Sequence, residues 1–175
     1  CTNLNTVTLG DGINSIGDYA FSGCTNLNEL TIGSGLQTIG ASAFKGCTEI
    51  TELVLPSSVK TLELGSFAGS YGTLIVEMAQ FDLRSLSKSN ITAIYFSPET
   101  ELSNTLHGCD KLKTIVLPHT LQRIERDMFI GCSSLENIVI PESVTFIGRD
   151  AFRNKRNLSE LVIPESVEQI EEYAF

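Results

Sequence analysis

Two residue ladders with a common step of 23 constrain the fold of this chain more than any other feature of its sequence. Cysteine follows this step at Cys1, Cys24 and Cys47, and again at Cys109 and Cys132. Phenylalanine follows it at Phe21, Phe44 and Phe67, and again at Phe129, Phe152 and Phe175. A fixed period of this length predicts a solenoid in which each repeat buries its apolar edge against the next copy.

The repeat is clearest over residues 132–154, CSSLENIVIPESVTFIGRDAFRN. The apolar residues Leu135, Ile138 and Ile140 fit a short strand with one buried face. Pro141 ends this strand because proline cannot donate a ladder hydrogen bond.

A second short extended segment follows, with Val144 and Ile147 pointing inward. Gly148 is expected to permit a bend that other residues resist, while Ala151 and Phe152 fill the centre of the coil. This pattern predicts a leucine-rich-repeat solenoid with a parallel β-sheet, coils made mostly of strand and turn, and little or no helix. We expect about eight coils, two of them degenerate, in a single array over residues 1–175 that reads as a fragment of a longer protein.

The middle of the chain departs from the repeat. The interval from Phe67 to Phe129 is seven residues shorter than three full units. We place two shortened coils at about 70–88 and 89–108, with these residues pointing inward: Leu74, Val76, Ile91, Ile94 and Phe96. Tolerated decay of the array and a selected bend or binding site both explain the irregular region at about 70–108.

The unit resembles the BspA-like leucine-rich repeats of surface proteins from host-associated bacteria and some parasitic protists. The resemblance lies in the strand and proline of Leu112 to Pro118, the V-x-x-I-G of Val144 to Gly148, and the A-F-x-x-C of Ala43 to Cys47. It implies a cell-surface or secreted location. It also implies adhesion to host extracellular-matrix proteins, to epithelial cells or to other microbes.

Charge and composition narrow the classes of partner. The net charge of -9 repels nucleic acid and anionic membrane surfaces at long range. Apolar runs stay well short of the roughly 18 residues that a membrane-spanning helix needs, so we expect no membrane insertion in this fragment. A nucleic-acid partner is therefore not expected, and the resemblance implies a protein partner, a host extracellular-matrix or cell-surface protein.

The reactive residue types are explained by the repeat. Cysteines at one position per coil are expected to be free, buried thiols, and paired C-x-x-C or Cys/His spacings for zinc are lacking. His107 and His119 have a single nearby carboxylate in sequence, Asp110, which does not make a catalytic triad. We therefore predict no catalytic residues, no metal site and no cofactor, and a protein that is not an enzyme.

Two surface features remain as candidate binding sites. The outward strand positions form one column of Thr6, Glu29, Glu52, Thr73, Ala93, Thr114, Asn137 and Glu160. A second column begins with Thr8 and Thr31 and then becomes an apolar stripe of Val54, Ile75, Tyr95, Val116, Val139 and Val162. Exposed apolar patches often mark protein contacts, although β-branched residues also stack on strand neighbours without any partner.

The second feature is a basic cluster of Arg123, Arg126, Arg149, Arg153, Lys155 and Arg156. Arg126 and Arg149 are one repeat apart, so they should lie in neighbouring turns. The cluster fits either an acidic partner or a solvated turn edge. Two functions follow from the surface as a whole, an adhesion module that binds through the exposed sheet face and a spacer array that presents another domain.

Overall fold

The chain is a parallel β-solenoid of about eight coils with almost no helix, which confirms the predicted fold. The structure is a computed structural model that describes the backbone of residues 1–175 and every side chain except that of Tyr71. We number the coils 1 to 8, over residues 1–23, 24–46, 47–69, 70–88, 89–108, 109–131, 132–154 and 155–175.

The first strand of a coil lies in what we call the front sheet, and the second lies in the back sheet. The front strands are β1 (Thr6–Thr8), β3 (Glu29–Thr31), β5 (Glu52–Leu55), β7 (Tyr71–Val76), β9 (Asn90–Phe96), β11 (Thr114–Val116) and β13 (Asn137–Val139). The back strands are β2 (Ser15–Ile16), β4 (Thr38–Ile39), β6 (Thr61–Leu62), β8 (Gln80–Asp82), β10 (Glu101–Ser103), β12 (Arg123–Ile124), β14 (Phe146–Ile147) and β15 (Gln169–Ile170).

Both sheets are parallel and interrupted, and they are interrupted at different coils. In the front sheet, β1 pairs with β3, and a separate ladder runs β5-β7-β9-β11-β13. In the back sheet, the ladders are β2-β4-β6, β8-β10 and β12-β14-β15. Every pair of neighbouring coils is thus joined by at least one ladder, either in the front sheet or in the back sheet.

The two shortened coils carry the longest strands, because their missing residues are taken from the connections. Strand β7 has six residues and β9 has seven, and they pair across a register shift between Gly72 and Thr73. The residues predicted to point inward here, Leu74, Val76, Ile91, Ile94 and Phe96, are all buried. One turn of 3-10 helix, Leu83–Leu86, follows β8 in coil 4 and begins where the side chain of Asp82 accepts a hydrogen bond from the Arg84 amide.

The phenylalanine ladder stacks through the centre of the solenoid. Ring centroids lie 5.4 and 5.6 Å apart from Phe21 through Phe44 to Phe67. At the other end, Phe152 lies 5.3 Å from Phe129 and 5.5 Å from Phe175. In the shortened coils, buried Leu86 and Leu106 take the same position, so an apolar column continues through the irregular region.

The cysteine position is also filled in the shortened coils, where Ser70 and Ser89 occupy it. The Cys47 thiol donates to the Phe21 carbonyl at 3.2 Å, and the Ser70 hydroxyl donates to the Phe44 carbonyl at 2.7 Å. Both bonds reach back 26 residues, which is one repeat plus three positions. A small side chain that can donate one hydrogen bond is therefore what this buried corner requires.

The prediction that Gly148 permits a bend is wrong. Its φ is not positive, and a Cβ there would lie 2.6 Å from the Arg126 backbone nitrogen in the coil below, so close approach of the coils explains this glycine. The left-handed turns lie elsewhere, for example at Asp127 with φ 57° and at Gly131 with φ 81° in coil 6. These two positions recur from coil to coil.

In the part of the chain that the structure describes, helical structure never reaches the length and apolar content that a membrane span requires.

Candidate protein-binding site

The outward columns predicted from the sequence coincide with the strand register of the front sheet. Along the ladder from β5 to β13, the paired residues of the stripe are Val54, Ile75, Tyr95, Val116 and Val139. The neighbouring column pairs Glu52, Thr73, Ala93, Thr114 and Asn137. Five stripe residues thus lie side by side on one continuous sheet.

The stripe points outward because side chains alternate across a strand. In β5 the flanking residues Leu53 and Leu55 are buried, whereas Val54 between them is exposed. Exposure varies along the stripe: Val54 and Tyr95 are exposed, Ile75 and Val116 are half-buried, and Val139 is 69% exposed. Val162 is 72% exposed and lies in coil 8, in a segment that does not pair with β13.

The exposed end of the stripe borders an open cleft. Between β13 and the front segment of coil 8 lies a cleft of about 400 Å³, and Val139 and Val162 stand on its two sides. Three carboxylates line it, from Glu136, Glu142 and Glu160. Lys113 pairs with Glu136 at 3.1 Å, and the remaining two carboxylates keep this end of the sheet face acidic.

The basic cluster is extensively paired with carboxylates. Arg123 contacts Glu125 at 2.9 Å, and Arg126 contacts Asp127 at 3.3 Å. Arg149, in the turn next to Arg126 as expected, pairs with Glu172 at 2.7 Å.

The side chain of Asp150, buried between two of these arginines, contacts Arg149 at 3.3 Å and Arg153 at 3.1 Å. Lys155 donates to the Arg153 carbonyl, and burial lowers its pKa. Arg156 is exposed. These contacts leave the cluster less net positive charge than its sequence indicates, and they favour a solvated, ion-paired turn edge over an anion site.

The thiol column has four buried members and one exposed one, Cys1, and all five cysteines are free. Burial raises the pKa of Cys47 to about 11 and that of Cys132 to about 12. Thiols held protonated in this way are poor nucleophiles. They therefore act as packing groups rather than as reactive sites.

These thiols give a direct test. We expect a thiolate-reactive disulfide reagent at pH 8 to modify Cys1 quickly in the native protein, and to modify all five cysteines only in denaturant. Because the folded pKa values of Cys47 and Cys132 lie above the ordinary value of 9.0, their contribution to stability is fully present below about pH 9. It is lost as the pH rises toward 11 and 12. Fast modification of a second cysteine without denaturant would contradict the burial of the column.

Among the described residues, His, Cys, Asp and Glu form no group of three or more that could hold a metal ion. His107 and His119 are both exposed.

The repeat and its geometry place the chain in a known group. The family model described as the BspA-type leucine-rich-repeat region matches residues 1–101 and 102–175, with six copies of the repeat. The chain belongs to this BspA-type family.

Solved leucine-rich-repeat structures share the fold. A leucine-rich-repeat protein of Eubacterium ventriosum is 23% identical, with a TM-score of 0.68 over 98% of this chain and 47% of its own. A T. pallidum leucine-rich-repeat protein is also 23% identical, with a TM-score of 0.58 over 91% of this chain and 67% of its own. A leucine-rich cell surface protein of Faecalibacterium prausnitzii is 23% identical, with a TM-score of 0.54 over 100% of this chain and 57% of its own.

This BspA-type chain therefore spans about half to two thirds of the length of these relatives. Comparison with curated proteins finds no match. At this level of sequence identity the similarity to these structures concerns the fold alone. The function of the front sheet therefore depends on the chemistry of its own side chains.

Sequence reasoning placed the stripe but not the cleft beside it. Glu142 lies in the turn after Pro141, outside both strand columns, and Glu136 precedes β13. Their convergence depends on the unpaired front segment of coil 8. The sequence pattern of outward-facing residues does not indicate which neighbouring strands fail to pair.

Proposed function

We propose that this BspA-type array is a non-catalytic, cell-surface or secreted binding module that mediates adhesion to host or microbial proteins through its front sheet. The observation that carries the proposal is the apolar stripe, which ends at the acidic cleft between Val139 and Val162. The expected partner is a protein that presents an apolar ridge flanked by Lys or Arg.

Cross-strand packing alone is a weaker explanation of the stripe. If β-branched side chains stood there only to stack on one another, their strand neighbours would cover them. Tyr95 remains 41% exposed although it pairs with Ile75 on one side and with Val116 on the other. An apolar side chain left open in this way gains by burial against a partner.

The small residues beside the stripe also favour contact. Thr73, Ala93 and Thr114 form the neighbouring column at the centre of the sheet, so the side of Tyr95 facing that column has only short neighbours. Tyrosine is enriched at protein interfaces because it combines an apolar ring with a polar tip. Tyr95 is 41% exposed and is therefore available as an anchor.

The test is binding to immobilised extracellular-matrix and epithelial surface proteins, with a variant carrying Val116→Ser, Val139→Ser and Val162→Ser. We expect the variant to bind at least about tenfold more weakly, because a few buried apolar anchors carry much of an interface's energy. A matched control makes the same kind of change at three exposed apolar residues elsewhere, Leu64, Ile130 and Ile170. The control should bind like the parent.

The outcomes separate the two functions. Loss of binding in the stripe variant alone, with unchanged circular dichroism and unfolding midpoint, supports adhesion through the front sheet. Equal binding by parent and stripe variant places the contact elsewhere and contradicts the site. Absence of binding by the parent at micromolar concentrations supports a spacer array that presents another domain.

A further inference from the structure

A second cleft, on the opposite side of the solenoid from the stripe, lies between coils 5 and 6. It has a volume of about 400 Å³, and its lining includes Glu101, Leu102, Leu121, Arg123, Glu125 and Met128. Leu102 and Leu121 pack against the core, and Met128 is buried, which gives the cleft an apolar floor. The charged side chains stand at its edges.

The cleft exists because two back strands fail to meet. Strand β10 pairs with β8 and strand β12 pairs with β14, and among the described residues no ladder joins β10 to β12. Coil 5 has one residue fewer between the inward residue of its back strand and the left-handed turn. Asn104 follows Leu102 by two positions, whereas Asp127 follows Ile124 by three.

Each coil would normally close this gap with backbone hydrogen bonds. In the next step of the array, Thr145 N donates to Gln122 O at 2.9 Å and Gly148 N donates to Ile124 O at 2.7 Å. By the same register, the amides of Gln122 and Glu125 and the carbonyl of Leu102 face the cleft. Strand edges with unused amides and carbonyls are templates for an added strand.

We propose that this cleft binds an extended peptide segment, which adds to the free edge of β12 by backbone hydrogen bonds. Alternate residues of an added strand point to the same side. One set would lie on Leu102, Leu121 and Met128 and would be aliphatic. The other set would reach the charged edge of the cleft.

The charges at the edge favour a basic peptide. Arg123 is already engaged, because its guanidinium contacts Glu125 at 2.9 Å and lies 3.7 Å from the centre of the Phe146 ring. Glu101 contacts the neutral amide of Gln80 at 3.3 Å. The Glu101 carboxylate is thus the charged group that remains available to the peptide, and a Lys or Arg side chain of the peptide complements it.

The probe is a fluorescent, capped hexapeptide of alternating Lys and Val, titrated against the whole chain and followed by anisotropy. We expect saturable binding, together with slower hydrogen exchange at the amides of Gln122 and Glu125. Methylating alternate peptide nitrogens should abolish binding, because these nitrogens then cannot donate to a ladder. The triple serine variant of the stripe should bind the peptide like the parent, which separates this site from the front sheet.

Matched charge reversals locate the site. Glu101→Lys should weaken binding by about tenfold or more, through lost attraction and new repulsion. Glu77→Lys, an exposed change in coil 4 that lies away from the cleft, should leave binding unchanged. No saturable binding up to about 1 mM, the weak end of specific association, would overturn the proposal. So would equal binding of the methylated peptide, or exchange protection at Asn137–Val139 instead of at Gln122 and Glu125.

Discussion

Replacing Phe152 with alanine should lower the free energy of unfolding by about 3 to 5 kcal/mol, as expected for a buried phenylalanine. Phe152 is buried, and its ring lies between those of Phe129 and Phe175 at 5.3 and 5.5 Å. Its removal therefore opens a cavity that leaves both neighbouring rings without a packing partner on one face. Denaturant unfolding measures the effect.

An exposed valine provides the control for this change. Val139→Ala removes apolar atoms from a side chain that is 69% exposed, so it should change stability by no more than about 0.5 kcal/mol. A decrease well under 1 kcal/mol for Phe152→Ala, about the size expected for the control, would contradict the central phenylalanine ladder.

Replacing Gly72 with alanine should be similarly severe, at about 3 kcal/mol or more, because strain and steric clash act together. Gly72 has φ +99°, and a Cβ there would overlap the Ile50 and Thr51 carbonyl oxygens of coil 3. Its own carbonyl accepts a hydrogen bond from the Thr92 hydroxyl at 3.2 Å, next to the register shift of β7 and β9. Thermal and denaturant unfolding both report the destabilisation.

A second glycine separates the two contributions. Gly23 has φ +74°, but a Cβ there would meet nothing within 4 Å, so Gly23→Ala tests backbone strain alone. We expect it to destabilise the protein by about 1 to 2 kcal/mol. If Gly72→Ala proves no worse than Gly23→Ala, coils 3 and 4 do not approach each other closely at Gly72.

The repeat can be predicted from the sequence because each position of the repeat meets the same physical requirement in coil after coil. Phenylalanine stacking and the alternation of β5 place the core and the stripe correctly, and even the shortened coils keep their inward residues. The left-handed corner was also predictable, since Gly23, Gly46, Gly69, Gly108 and Gly131 share one column and all have positive φ. Reading Gly148 as the bend missed this signal, because a glycine at a repeat position has two possible causes, a left-handed backbone or a close approach.

The two clefts were beyond prediction from the sequence. Whether β10 meets β12 depends on how one missing residue between Leu102 and Asn104 is absorbed, and a column pattern records only which side each residue faces. The ion pairs of the basic cluster were likewise beyond prediction from the sequence. Asp150 contacts both Arg149 and Arg153 because a left-handed backbone, φ 58°, turns it toward them.

The staggered interruptions of the two sheets also determine where the array has unpaired strand edges. The front ladder is missing between coils 2 and 3 and between coils 7 and 8, whereas the back ladder is missing between coils 3 and 4 and between coils 5 and 6. Each of these four junctions therefore keeps one ladder and leaves unpaired strand edges on its other face. Two junctions have these edges on the front and two on the back, so sites for backbone hydrogen bonding are divided equally between the two faces while every coil stays hydrogen-bonded to its neighbours.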